Sequence, residues 1–221
     1  RGGGVYNDGS FTMNDGLIVG NKAGTNGGGL YVNTNGIFTM KNGEITGNKA
    51  VNYGGGIQIN TSGKMFLTAD SGKTISITEN TAGDAEGGIA VWGELHISGK
   101  VIIKDNICTQ TYGDSVNYPV NLAVAAPIII DDALTDSEIY VTLADSNDNT
   151  HKAGVLTSGY ATYGAKVFTY DGPYHMYANA DGELEYVIND PASIERITDM
   201  FQKLFSCQAA VDTLNAGEMQ L

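Results

Sequence analysis

Residues 27–50 read GGGLYVNTNGIFTMKNGEITGNKA, and residues 2–23 read GGGVYNDGSFTMNDGLIVGNKA. The two stretches share their glycines, their Phe-Thr-Met and their closing Gly-Asn-Lys-Ala, so the chain repeats itself. The glycine clusters stand at Gly2-Gly3-Gly4, Gly27-Gly28-Gly29, Gly54-Gly55-Gly56 and a shortened Gly87-Gly88, at offsets of 25, 27 and 33 residues. Self-similarity at such a period is the mark of a solenoid.

Aligned, the units give chemically uniform columns. Val5, Leu30, Ile57 and Ile89 follow the glycines. Phe11-Thr12-Met13 is answered by Phe38-Thr39-Met40, Met65-Phe66-Leu67 and Leu95-His96-Ile97. Ile18, Ile45, Ile77 and Ile103 form a third column, each followed three positions later by Asn21, Asn48, Asn80 and Asn106. Two places beyond each Asn stands a small residue: Ala23, Ala50, Ala82 and Cys108.

Within the runs apolar and polar residues alternate, which is strand periodicity with one buried face. Pairs such as Asp15-Gly16 and Asn35-Gly36 supply the turns, because these residues tolerate positive φ. Three apolar runs per unit and one residue type per column predict an all-β chain wound as a parallel β-helix. Each coil then carries three short strands, and like residues stack ~4.8 Å apart. An antiparallel barrel or sandwich also uses short strands, but does not require Ile and Asn at one offset in every unit. An Asn amide carries both donor and acceptor, so the Asn column predicts a ladder that bonds coil to coil and satisfies buried turn backbone.

After Asn106 the register fades while strand-like segments continue at Val120–Ala125, Pro127–Asp131, Glu138–Leu143, Lys166–Tyr170 and Glu183–Ile188. Residues 1–188 therefore read as the β-helix, regular over 1–108 and degenerate, with longer loops, over 109–188. The tail, 189–221, changes character. Asp190-Pro191 is a helix entry signal, and Ile194, Ile197, Phe201, Leu204 and Phe205 follow at helical spacing. An amphipathic C-terminal helix is expected there, covering the end of the solenoid or docking a partner. At the other end Arg1 leads directly into the first glycine triplet, which suggests a piece of a longer repeat array.

Twelve Lys and Arg stand against 25 Asp and Glu, a net charge of −13. That argues against nucleic acid and against adhesion to anionic lipid through a basic patch. No apolar run is long enough to span a bilayer, so no membrane insertion is expected. Two cysteines, Cys108 and Cys207, cannot build a thiolate zinc cage, and His96, His151 and His175 lack ligand spacing. Cys108 reads as a buried alanine substitute; a Cys108–Cys207 disulfide stays open.

Catalytic chemistry finds little footing. Arg1 and Arg196 are the only arginines, so a lyase would need a lysine base. Among carboxylates, Asp131-Asp132 is the best local pair, followed by Asp136 and Glu138. Neighbours on a strand face opposite ways, so the pair reads first as a solvated turn. Asp145/Asp148 and Asp84/Glu86 read likewise. Weak Ca²⁺ binding by such acidic loops stays open, with no metal site and no cofactor assigned. Tyr160, Tyr163, Tyr170, Tyr174 and Tyr177 cluster late in the chain and are the candidate ligand-binding residues, since amphipathic rings stack on sugars or enter interfaces. Tyr6 and Tyr31 share an outward column, which Gln58 and Ala90 end.

The Gly-Gly-x-(Ile/Leu/Val) segments and the Ile-x-x-Asn segments, such as Gly28-Gly29-Leu30 and Ile45-x-x-Asn48, resemble the polymorphic outer-membrane-protein repeats of bacterial surface proteins. The fuller wording is similar to large secreted β-helix proteins of anaerobic bacteria. The resemblance covers about residues 2–108, with Ile where that family often has Phe. It implies a right-handed, single-stranded β-helix in an extracellular setting, on a bacterial cell surface or secreted. It also implies an adhesive or scaffolding role and transfers no catalytic residue. The expected function is thus a non-enzymatic adhesin, stalk or scaffold whose partner is a host or matrix protein or a glycan. A carbohydrate-active enzyme, and a self-assembling unit joined through residues 190–221 or the N-terminal coil, are the alternatives.

Overall fold

The computed structural model describes residues 1–85, 87–109, 118–119, 122–124, 127–141, 153–155, 157–159, 167–170, 174–178 and 183–188. Coil one consists of β1 (Val5–Asn7), β2 (Ser10–Met13), β3 (Leu17–Val19) and β4 (Lys22–Ala23). Coil two is β5 (Leu30–Val32), β6 (Ile37–Met40), β7 (Gly43–Thr46) and β8 (Lys49–Ala50). Coil three is β9 (Ile57–Ile59), β10 (Lys64–Thr68), β11 (Ile75–Thr78) and β12 (Thr81–Ala82). Coil four is β13 (Ile89–Val91), β14 (Glu94–Gly99), β15 (Val101–Lys104) and β16 (Ile107–Cys108). After β17 (Tyr118–Pro119), a fifth turn runs through β18 (Leu122–Val124), β19 (Ile128–Leu134) and β20 (Glu138–Val141). There follow β21 (Ala153–Val155), β22 (Thr157–Gly159), β23 (Phe168–Tyr170), β24 (Tyr174–Ala178) and β25 (Leu184–Ile188).

Equivalent strands stack in parallel, giving a β-solenoid of about five turns. The pairing is like on like: Ile18 on Ile45, Ile45 on Ile77, Ile77 on Ile103. The expected three strands per coil become four. The first ladder is β1-β5-β9-β13-β18, the second β2-β6-β10-β14-β19-β22, the third β3-β7-β11-β15-β20-β23 and the fourth β4-β8-β12-β16-β17. Strands of the fourth ladder are two residues long where they pair in parallel, too short to display alternation, and their inward residue is the small one of the column. Degenerate coils were expected to the end of the solenoid. Among the described residues after 109, β18, β19 and β20 continue the ladders and β22 and β23 extend them further, while β21, β25 and β24 form an antiparallel sheet. The expected tail helix lies outside the described residues.

Each glycine of the triplet has its own physical reason. Gly27 has φ +64°, a region that side chains with a Cβ disfavour. A Cβ on Gly28 would collide with the carbonyl oxygen of Gly55 in the next coil. One on Gly29 would stand 3.0 Å from the Asn48 amide, so this glycine clears the space that the Asn column fills.

That column is a directional ladder. The backbone N–H and Nδ2 of Asn21 donate to Oδ1 of Asn48 at 2.9 and 3.0 Å. Asn48 donates in the same way to Asn80, both at 3.0 Å, and Asn80 to Asn106 at 3.0 and 2.9 Å. Asn48 Nδ2 also reaches back to the Ile18 carbonyl at 2.8 Å, as Asn80 does to Ile45 at 2.9 Å. One amide therefore ties three coils. Inside, Leu30, Ile57, Ile59, Met65, Ile77, Ile103 and their neighbours are fully buried, each such side chain contributing ~1.5–3 kcal/mol.

Candidate functional site

The four ladders meet at corners, and in coils one to four two of these vary in length; the first-to-second corner is as short at Asn7–Ser10 in coil one as at Val91–Glu94 in coil four. Between the first and second ladders, Ile59 and Lys64 are five positions apart in coil three. Their stacked partners Val91 and Glu94 are only three apart, so Trp92-Gly93 makes the corner alone. A Cβ on Gly93 would strike the Gly63 carbonyl, which keeps this corner drawn in beneath the one above. The shortened corner leaves an open groove of about 540 Å³ lined by Ser62, Lys64, Trp92, Gly93, Glu94, Pro127, Ile129 and Ser158. Trp92 is 41% exposed in it. Its backbone N–H donates to the Ile59 carbonyl at 2.9 Å, and its ring meets Tyr53 edge-on at 5.5 Å.

The groove wall is the outer face of the second ladder, and it is charged. Lys64 Nζ donates to both oxygens of Glu94 at 3.0 and 3.1 Å. His96 lies between two carboxylates: Nε2 is 2.6 Å from Glu94 Oε1, and Nδ1 is 2.9 Å from Asp131 Oδ1. Ionised carboxylates only accept, so both contacts are hydrogen bonds when the imidazole carries both protons. The ring also stacks on Phe66 with centroids 4.5 Å apart. The His96 and Lys64 bonds hold the Glu94 carboxyl below its usual pKa, His96 contributing most. The arrangement can hold charge in place, accept hydrogen bonds from hydroxyl groups and offer an aromatic surface.

The second irregular corner joins the second and third ladders. Leu67 and Ile75 are eight positions apart where their partners Met40 and Gly43 are three apart. That insertion and the β19 segment frame a hollow of about 590 Å³, whose charged members are Asp70, Lys73, Lys100, Asp132 and Asp136. The expected solvated turn at Asp131-Asp132 is instead part of β19. Ile97 pairs with Ile130 but Gly99 with Leu134, so β19 carries extra residues as a bulge. A bulge breaks strict alternation, and both carboxylates are exposed: Asp131 on His96, Asp132 accepting from the Ala133 N–H at 2.7 Å. Glu138 accepts from Lys104 at 2.8 Å, each shifting the other toward its charged form.

The tyrosine candidates are described in part, by their backbone. Tyr170 ends β23, and Tyr174 and Tyr177 lie on β24, where they pair with Ile188 and Glu185; Tyr160 and Tyr163 lie outside the described residues. The outward column of the first ladder is no surface stripe beyond coil one. Tyr6 is 51% exposed and stacks on Tyr31 at 5.4 Å, but Tyr31, Gln58 and Ala90 are buried. Cys108 is buried with Sγ 3.1 Å from the Asp84 carbonyl; Cys207, Glu86, Asp145 and Asp148 lie outside the described residues. Among the described residues no group of three His, Cys, Asp or Glu side chains is placed to hold a metal ion. No described residue is helical, and no described helix is long and apolar enough to cross a membrane.

Trp92 and the Glu94–His96–Asp131 cluster were missed as a site by sequence reasoning. The detectable signal was the two-residue shortening after Val91, in the only unit that places tryptophan at that corner. No protein-family model, curated protein or solved structure matches the chain.

Proposed function

We propose that this chain is a non-enzymatic extracellular module of a bacterial surface or secreted protein, serving as an adhesin, stalk or scaffold. We take the solenoid to wind right-handedly, the hand that parallel strand crossovers favour. The observation that carries the reading is the like-on-like stack tied by Asn48 and Asn80 across successive coils. Such a stack makes a stiff body whose outer faces are free to vary, as in other repeat proteins. The open corner groove beside Trp92 is the recognition surface of that body, and a host or matrix protein or a glycan is its partner.

The test is to apply the purified chain to an array of matrix proteins and glycans and, in parallel, to assay polysaccharides for new reducing ends. Saturable binding without depolymerisation supports the reading. Depolymerisation abolished by Glu94→Gln or Asp131→Asn would replace it with the enzyme reading, which the histidine held between two carboxylates favours. A sedimentation mass above the monomer that falls when residues 190–221 are removed would favour self-assembly.

A further inference from the structure

We infer that the corner groove binds a neutral saccharide, seated on the Trp92 indole; this rests on the groove being the module's recognition surface. The volume of about 540 Å³ lies within the ~300–1,000 Å³ common for small-ligand sites. The lining has the mixed character that a sugar ring requires. A sugar presents an apolar C–H face to an aromatic plane and a rim of hydroxyls to hydrogen-bonding groups. Trp92 supplies the aromatic surface, and Ser62, Ser158, Lys64 and Glu94 supply donors and acceptors around it.

Charge selects the class of sugar. Lys64 is the single cation among the described lining residues, and Glu94 already engages it at 3.0 Å. Behind it His96 is held by Glu94 and Asp131. Among the described residues no unpaired cation on this wall is left to hold a uronate or sulfate group, and the chain's net charge of −13 repels an acidic polymer. A neutral glycan meets neither obstacle. The seat is also preformed, because the Trp92 backbone is bonded to Ile59 and its ring is braced by Tyr53. Little side-chain freedom is then lost on binding.

Trp92 is the only tryptophan of the chain, so its emission reports this groove alone. The intact protein is titrated with gluco-, manno- and N-acetylglucosamine oligosaccharides and with oligogalacturonate, and binding is repeated by calorimetry on variants. A saturable emission shift with a neutral oligosaccharide, weakened about tenfold or more in Trp92→Ala and unchanged in the remote Tyr6→Ala, is expected. If Trp92→Ala misfolds by circular dichroism, Ser158→Ala and Glu94→Gln take its place with the same expected direction. Silence toward every neutral oligosaccharide, preference for oligogalacturonate, or binding indifferent to the groove variants would each overturn the inference. Capture of a matrix protein on the array with all oligosaccharides silent would overturn it too, while leaving the module reading intact.

Discussion

Asn48 concentrates the logic of this fold in one side chain. It is fully buried, accepts two bonds from Asn21 and donates to Asn80, Ile18 and Thr46. Alanine there strands the Asn21 N–H and removes the bonds to Ile18, Thr46 and Asn80, and a buried unpaired group costs ~1–3 kcal/mol. Asn48→Ala is therefore expected to lower unfolding free energy by about 2–5 kcal/mol in urea titrations. Asn21→Ala, at the first rung and only half-buried, is expected to cost clearly less. Equal losses would mean that the amides act independently rather than as a ladder. Gly28→Ala belongs at the same scale: its Cβ would meet the Gly55 carbonyl, which as backbone cannot turn aside. A loss of ~1–3 kcal/mol or more is expected from such overpacking, with Gly9→Ala, where a Cβ meets nothing, close to neutral. These residues were legible in the sequence because each recurs unchanged at one offset, and recurrence in a stack means contact. Trp92 was not legible as a site, since a residue that appears once carries no column.

At the scale of the strand, recurrence also determined what could be read. The Phe-Thr-Met and Ile columns marked the second and third ladders, and all eight strands of coils one to four in those ladders pair in the register the columns imply. The fourth ladder escaped because two residues cannot express a period of two. The β19 bulge escaped because extra residues look like a turn when only alternation is consulted. Asp131 itself follows the buried Ile130 in ordinary alternation, so it lies on the outer face and bonds His96 across from Glu94. This cross-strand cluster makes a pH prediction. The folded-state pKa of Glu94 lies below its ordinary 4.5. Its contribution is thus complete above that ordinary value and is lost as pH falls through the lowered one. Between about pH 6 and pH 3 the wild type should lose more stability than Glu94→Gln, read from urea midpoints at each pH. Parallel curves would show that the cluster is not coupled to folding.

For the whole molecule the dominant charge term is repulsion. The described residues form ion pairs at Lys64–Glu94 and Lys104–Glu138, with exposed partners, and His96 hydrogen-bonds Glu94 and Asp131 beside the first. Such pairs stabilise weakly, with a median of ~0–1 kcal/mol. Against them stand 25 acidic residues and a net charge of −13 on one 221-residue chain. Salt weakens both terms, but the many long-range repulsions lose more than the few close attractions, because the screening length falls from ~30 Å at 0.01 M to ~8 Å at 0.15 M. Raising sodium chloride across that range should therefore raise the melting temperature in scanning calorimetry, by a few degrees. The same screening explains why the stack tolerates this charge at all. Its cohesion comes from uncharged amides, backbone ladders and buried Ile, Leu, Met and Phe, none of which salt weakens. A melting temperature that fell with salt would place the cohesion in the ion pairs and contradict a fold held by its stacked neutral columns.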